Sequence, residues 1–186
     1  MVGSHASSPS IGPGVTEHPL AQGVCDIRPA DLTDESDAET YLQLLDQYAL
    51  DPMGGGKPLE SAVRKRLAND LARHPTCLIL LAFVDQQPVG VATCFYAYST
   101  FRARPLINVH DIAVLAAYRG QGIGRALLRA IEHEARAQDC CKVTLEVRED
   151  NPLAHGLYRS EGFGRAELGS DSVQYLFLEK HLDQPE

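Results

Sequence analysis

Apolar residues fall into two periods along this chain, and the switches between them lay out its elements. Residues 24–28 form a short β-rich run that reads as a strand. From 36 to 50 the apolar positions Tyr41, Leu44, Leu45 and Tyr48 recur at helical spacing. Leu59, Val63, Leu67 and Leu71, each four apart, predict a second helix whose other face carries Arg64, Lys65 and Arg73. Residues 76–84 and 88–99 read as strands joined by the turn Asp85-Gln86-Gln87, an antiparallel hairpin. A further strand, rich in β-branched residues, runs Ile107-Asn108-Val109-His110-Asp111-Ile112-Ala113-Val114. Ile123, Leu127, Ile131 and Ala135, with Leu128 beside them, then set an apolar helical face over charged Arg125, Arg129, Glu132 and Arg136. An alternating strand from Lys142 precedes a short helix with Asn151 as N-cap, Pro152 at its first position and Gly162 just past its end. Residues 163–168 and 173–178 read as a closing pair of strands.

Residues 1–22 lack any such period and are rich in Ser, Gly and Pro, so they are expected to be a disordered arm, with Gly3-Ser4-His5 a candidate tag scar. The remaining residues 23–183 make one domain, since 186 residues suffice for one substantial core and not for two. A glycine-rich stretch, Asp51 to Pro58, joins the first two helices. It reads either as a flexible link or as a lid in which Met53 and Lys57 meet a ligand.

Charge and cysteine content narrow the function classes. A net charge of -8 argues against general nucleic-acid binding, which needs basic surface, and is compatible with a cationic amine ligand. The acidic cluster around Asp34, Glu35, Asp37 and Glu39 is read as a helix start, with Ser36 and Glu39 as a capping box. No apolar run is long enough for a membrane span and the start lacks signal-peptide features, so the expected location is cytoplasmic. Cys25, Cys77, Cys94, Cys140 and Cys141 have neither a disulfide framework's even count nor zinc-site spacing, so they read as small hydrophobes. Cys140 and Cys141, being adjacent, are expected on opposite faces of a strand. No metal is expected.

The chemistry concentrates in Tyr118-Arg119-Gly120-Gln121-Gly122-Ile123-Gly124-Arg125, a glycine-rich turn between a strand and an amphipathic helix. Helix-start N–H groups lack intrahelical partners and sit at the positive end of the helix dipole, so a glycine loop there suits an anionic diphosphate. The spacing is neither the dinucleotide G-x-G-x-x-G nor the nucleoside-triphosphate loop. Arg119, Gly122 and Gly124 form the pattern Arg-x-x-Gly-x-Gly, and Asn151 precedes Tyr158 by seven residues, two helical turns. The two motifs, in this order, resemble the GCN5-related N-acetyltransferase (GNAT) superfamily.

That resemblance covers roughly residues 24–182, with specific residues only between 107 and 163, and it implies several things. The fold would be α/β (α+β), a mixed and mainly antiparallel seven-stranded sheet flanked by helices. The co-substrate would be acetyl-coenzyme A, its arm pairing with Ile112, Ala113 and Val114. Its pyrophosphate would sit on Arg119, Gly120, Gln121, Gly122, Ile123 and Gly124, with Arg125 adding a charge-assisted contact. Asn151 would touch the cofactor arm, beside Ala154, and Tyr158 would lie near the thioester sulfur as general acid. Two bases stay open. Glu146 points away from Val143, Leu145 and Val147, and stands twelve residues before Tyr158, as in the ribosomal-protein alanine acetyltransferases. His110 shares a face with Asn108, Ile112 and Val114 under regular alternation, leaving Asp111 to the opposite side as a structural residue.

The expected activity is therefore transfer of an acetyl group to a primary amine in a ternary complex, the acceptor being a small molecule or a peptide. The alternative from another class is a non-catalytic acyl-coenzyme A binding module. The Gly54–Gly56 insertion departs from the alanine acetyltransferase pattern, so ribosomal-protein modification does not follow. Dimerisation through terminal strands or helices is common among relatives and a homodimer is compatible, though no interface is legible in the sequence.

Overall fold

Strands β1 (Thr16–Pro19), β2 (Val24–Pro29), β3 (Cys77–Val84), β4 (Gln87–Ser99), β5 (Arg104–Val114) and β6 (Val143–Leu145) lie side by side in chain order in one sheet of the computed structural model. The structure describes residues 16–19 and 24–164. Every neighbouring pair is antiparallel except β5 and β6, which run parallel. A parallel pair needs a crossover, and helix α3 (Ile123–Ala137) supplies it. Helices α1 (Glu35–Leu50) and α2 (Ser61–Ala72) belong to the other side, and α4 (Pro152–Ser160) follows β6.

Two apolar clusters hold these layers. Ile123, Leu127 and Ile131 of α3, all but sealed from solvent, pack with Ile27, Leu80, Val89, Ile107 and Val109 of the sheet. Tyr41, Leu44 and Leu45 of α1 pack on Ile79, Leu81 and Val91 from the opposite face. Burying a large apolar side chain stabilises by about 1.5–3 kcal/mol, so the α3 stripe and the β3–β4 hairpin dominate the fold.

Several expectations change in detail. Six strands are present among the described residues rather than seven. Thr16–Pro19, within the stretch read as an arm, pairs with β2, which its lack of periodicity does not announce. Of the expected closing pair, residues 165–168 and 173–178 lie outside the described residues, and Phe163 and Gly164 are not in a strand. Helix α1 is not capped by the expected Ser36–Glu39 box. Asp34 is its N-cap, accepting the N–H of Asp37 at 3.0 Å. That start frees the Asp37 carboxylate to hold the Arg28 guanidinium at 2.7 and 2.5 Å and the N–H of Asp31 at 3.0 Å. Cys25 and Cys94 are buried as expected. Cys140 and Cys141 stand in the turn before β6 and not on a strand, because the backbone from Asp139 to Lys142 is used to leave α3.

Two irregularities of β5 shape everything that follows. It pairs with β6 over only three residues, Ile107 to Val109, while its pairing with β4 continues to Val114. The two parallel strands therefore part company, and the far half of β5 keeps an unpaired edge toward the gap. The second irregularity is a β-bulge: Thr93 faces Asp111 and Cys94 faces Val109, leaving His110 as the extra residue.

Candidate active site

The gap beside β5 widens into a cavity of about 480 Å³ whose walls come from the strand edge, the glycine loop with the start of α3, and α4. Ile112, Ala113 and Val114 line it from the strand, beyond the reach of β6, and of this edge the Val114 carbonyl is taken by Arg119 Nε. An extended, amide-bearing ligand can pair there as a substitute strand.

The loop end of the cavity is built for an anion. Gly122 is the N-cap of α3 at φ +94°, and Gly120 stands at φ +75°, a left-handed backbone that side-chain-bearing residues adopt at a cost. The first helical bond runs from the Ala126 N–H to the Gly122 carbonyl at 2.9 Å, so the N–H groups of Ile123, Gly124 and Arg125 have no intrahelical acceptor. A Cβ on Gly124 would stand 3.1 Å from Leu157 Cδ2, so its bare Cα lets α4 close against the first turn of α3.

The charged side chains of the loop are engaged within the protein. Arg119 donates through Nε to the Val114 carbonyl at 3.0 Å and through Nη2 to Asp51 Oδ2 at 2.8 Å. Arg125 and Arg129 both hold Glu161, at 2.6 and 3.0 Å, and Arg125 also reaches the Ser160 hydroxyl. Gln121 turns its amide back to the Ala117 carbonyl at 3.3 Å. The free helix-start N–H groups thus face the cavity beside Arg119, which lines it with the guanidinium N–H groups these bonds leave over. Arg125 lines the cavity as well.

Helix α4 forms as its sequence predicts. Asn151 caps it, accepting the Ala154 N–H at 3.1 Å, Pro152 opens it, and Gly162 follows it at φ +83°. The cap uses the Asn151 oxygen, and Asn151 is not among the cavity residues, whereas Ala154 and Tyr158 are. Tyr158 is 8 % exposed, packs at a tilt on Phe163, and its hydroxyl makes no hydrogen bond among the described residues. Burial, with the neighbouring Tyr48, holds its phenol above the usual tyrosine range, so it is neutral at ordinary pH.

The bulge overturns the expected facing of β5. Ile112 and Val114 pack with Ile107 and Val109 against α3, while Ala113 and Leu115 pack toward α1. Regular alternation cannot do this; the extra residue shifts the phase, so His110 leaves the face of Ile112 and Val114 and its ring meets Phe95 edge-on at 5.8 Å. Asp111 is thereby set on the α1 side as well, opposite the buried Thr93, whose hydroxyl pairs with that of Tyr41 at 3.3 Å. Burial raises the Asp111 carboxyl above the ordinary range, partly offset by His110 and by a hydrogen bond from Thr93.

Glu146 lies just past the end of β6, exposed, with no hydrogen bond or ion pair among the described residues. Neither it nor His110 lines the cavity, so Tyr158 is the one catalytic candidate that does. Three residues of this neighbourhood were not singled out from sequence. Asp111 was assigned to the far side and Tyr48 to the apolar stripe, yet both sit in one electrostatic group: the Tyr48 phenol is raised by burial, then by Asp111 and Asp51. Asp51, the third, closes α1 and anchors Arg119.

The acetyltransferase (GNAT) family model matches residues 40–163 of this chain. N-alpha-acetyltransferase RimI of Mycobacterium tuberculosis is 53 % identical over 61 residues, which are 33 % of this chain and 37 % of that relative. The match thus spans little more than a third of that relative's length. The crystal structure of ribosomal-protein-alanine N-acetyltransferase from Brucella melitensis biovar Abortus 2308 superposes with TM-score 0.62 at 22 % identity, over 81 % of this chain and 99 % of that one. A structure of AAC(6')-Iy in complex with the bisubstrate analog CoA-S-monomethyl-acetylneamine gives TM-score 0.64 at 15 % identity, over 84 % and 98 % of the two chains. At these identities the structural likeness is one of fold.

Proposed function

This chain belongs to the acetyltransferase (GNAT) family, and we propose that it transfers the acetyl group of acetyl-coenzyme A to a primary amine. The observation that carries this reading is the cavity itself: an unpaired strand edge, free helix-start N–H groups and a buried phenol open onto one space. The strand edge suits the amide-bearing arm of coenzyme A and the N–H groups suit its pyrophosphate, which aims the thioester past Ile112 toward Tyr158. The bound analog in the AAC(6')-Iy structure, a coenzyme A adduct by its name, supports the same co-substrate here.

The amine nitrogen attacks the thioester carbonyl carbon, the carbon–sulfur bond breaks, and Tyr158 gives its proton to the departing thiolate. A base takes the proton that the amine sheds. Glu146 and His110 are the two candidates, and the bulge leaves backbone donors beside His110 outside the ladder, where they can stabilise the developing oxyanion. The acceptor is a small-molecule or peptide amine. The RimI relative favours an α-amine, and chemistry agrees: near pH 7.5 an α-amine with pKa about 7.7–8.0 costs well under 1 kcal/mol to deprotonate, against roughly 4 kcal/mol for lysine.

Coenzyme A release, followed with peptides bearing free N-termini, lysine peptides, polyamines and aminoglycosides, tests this reading. Selective turnover is expected, lowered ~10²-fold or more by Tyr158→Phe, with Glu146→Gln or His110→Ala giving a comparable loss according to which is the base. Unchanged turnover in Tyr158→Phe removes the phenol from the mechanism. Tight acetyl-coenzyme A binding without turnover on any amine supports instead a non-catalytic acyl-coenzyme A binding module.

A further inference from the structure

The glycine stretch between α1 and α2 is a folded turn, and Asp51 is its hub. The Asp51 N–H closes α1 on the Tyr48 carbonyl, and its own carbonyl accepts from Gly54 at 2.8 Å and Gly56 at 3.1 Å. Its Oδ1 accepts the Met53 N–H at 2.8 Å. Two further bonds, Lys57 N–H to the Ala49 carbonyl at 3.0 Å and Leu59 N–H to Asp46 Oδ1 at 2.8 Å, finish the turn. Gly54 lies so close to the helix end that a Cβ would stand 1.9 Å from the Tyr48 carbonyl oxygen.

The second oxygen of Asp51 leaves the turn altogether. It accepts Arg119 Nη2 across a cleft of about 310 Å³ that separates Tyr48, Asp51 and Pro52 from Ala113, Leu115 and Ala116. Arg119 is the residue before Gly120, and its Nε is fixed on the Val114 carbonyl. One guanidinium thus ties the end of β5, the glycine loop and the turn after α1. No other hydrogen bond or ion pair joins residues 51–59 to residues 104–137 among the described residues. The Asp51 side chain is 17 % exposed and that of Arg119 48 %, so the charge-assisted bond is sheltered on one side only.

We infer that the Asp51–Arg119 pair is a strap that couples occupancy of the glycine loop to the position of the turn at residues 51–58, so that loading coenzyme A orders that turn. The inference rests on the cofactor reading above. A ligand held by the backbone of residues 120–125 restricts the loop, the loop fixes Arg119, and Arg119 fixes Asp51 and the three amides bonded to it, those of Met53, Gly54 and Gly56. Coupling between two sites is reciprocal, so whatever docks on the turn must also tighten coenzyme A binding, typically ~5–150-fold for such devices.

Hydrogen–deuterium exchange of the full chain with and without coenzyme A reads each half separately. Coenzyme A should slow exchange at residues 120–126 and, in the wild type, at 53–59. In Asp51→Asn, which keeps the Oδ1 acceptor for Met53 but removes the charge, protection at 120–126 should remain while the effect at 53–59 falls ~5-fold or more. Arg119→Lys, a point charge that can serve Asp51 or the Val114 carbonyl but not both, should fall between. Protection at 120–126 with residues 53–59 indifferent to coenzyme A, or equally protected in Asp51→Asn, overturns the strap. Absence of protection at 120–126 in the wild type overturns the cofactor reading and the strap with it.

Discussion

Asp111 is a carboxylate placed where burial works against its charge. Its folded pKa lies above its unfolded one, so above both values folding pays to strip water from the charged form. That penalty fades as pH falls through the folded pKa and is gone below the unfolded value of about 3.9. Asp111→Asn should therefore raise Tm at pH 7.5, and the gain should shrink to nothing near pH 3.5, as followed by thermal melts across that range. Equal Tm for both proteins at pH 7.5 would show that the Thr93 hydrogen bond and His110 already offset the burial cost. Tyr158 is the opposite case: it was legible from its spacing to Asn151, because helical geometry is regular enough to fix both the cap and the residue two turns on.

At the scale of elements, what the sequence makes legible is what local period governs. Helix α3 and the β3–β4 hairpin follow their apolar stripes, and the left-handed glycines stand where the turn requires them. Gly122→Ala places a Cβ at φ +94°, which costs roughly 1–2 kcal/mol and turns the anion-facing N–H groups aside. A drop in Tm together with coenzyme A affinity lowered at least 10-fold, by calorimetry, is the expected outcome; unaltered affinity would mean the ligand phosphate sits elsewhere. The engagements of Arg119 and Arg125 were not legible, because they depend on side chains from α1, α4 and the loop meeting in space. The bulge was half legible: Ile107 and Val109, then Ile112 and Val114, are two apolar pairs with two polar residues between them, one more than a regular strand allows.

At the scale of the described molecule, the β4–β5 ladder is interrupted at the site, with helices sealing the sheet on either side of it. That arrangement makes His110 a residue the architecture could do without. Removing it leaves Ile107, Val109, Ile112 and Val114 in unbroken alternation, each still turned toward α3, and lets the β4–β5 ladder close without a register shift. A chain lacking residue 110 should fold with Tm equal to or above the wild type, yet lose ~10²-fold or more in acetyl transfer, as melts and coenzyme A release would show. A large loss of Tm would mean that the kink also serves the core. The insertion of a single amino acid into an otherwise ordinary strand would then be the smallest step separating an inert sheet from a working one.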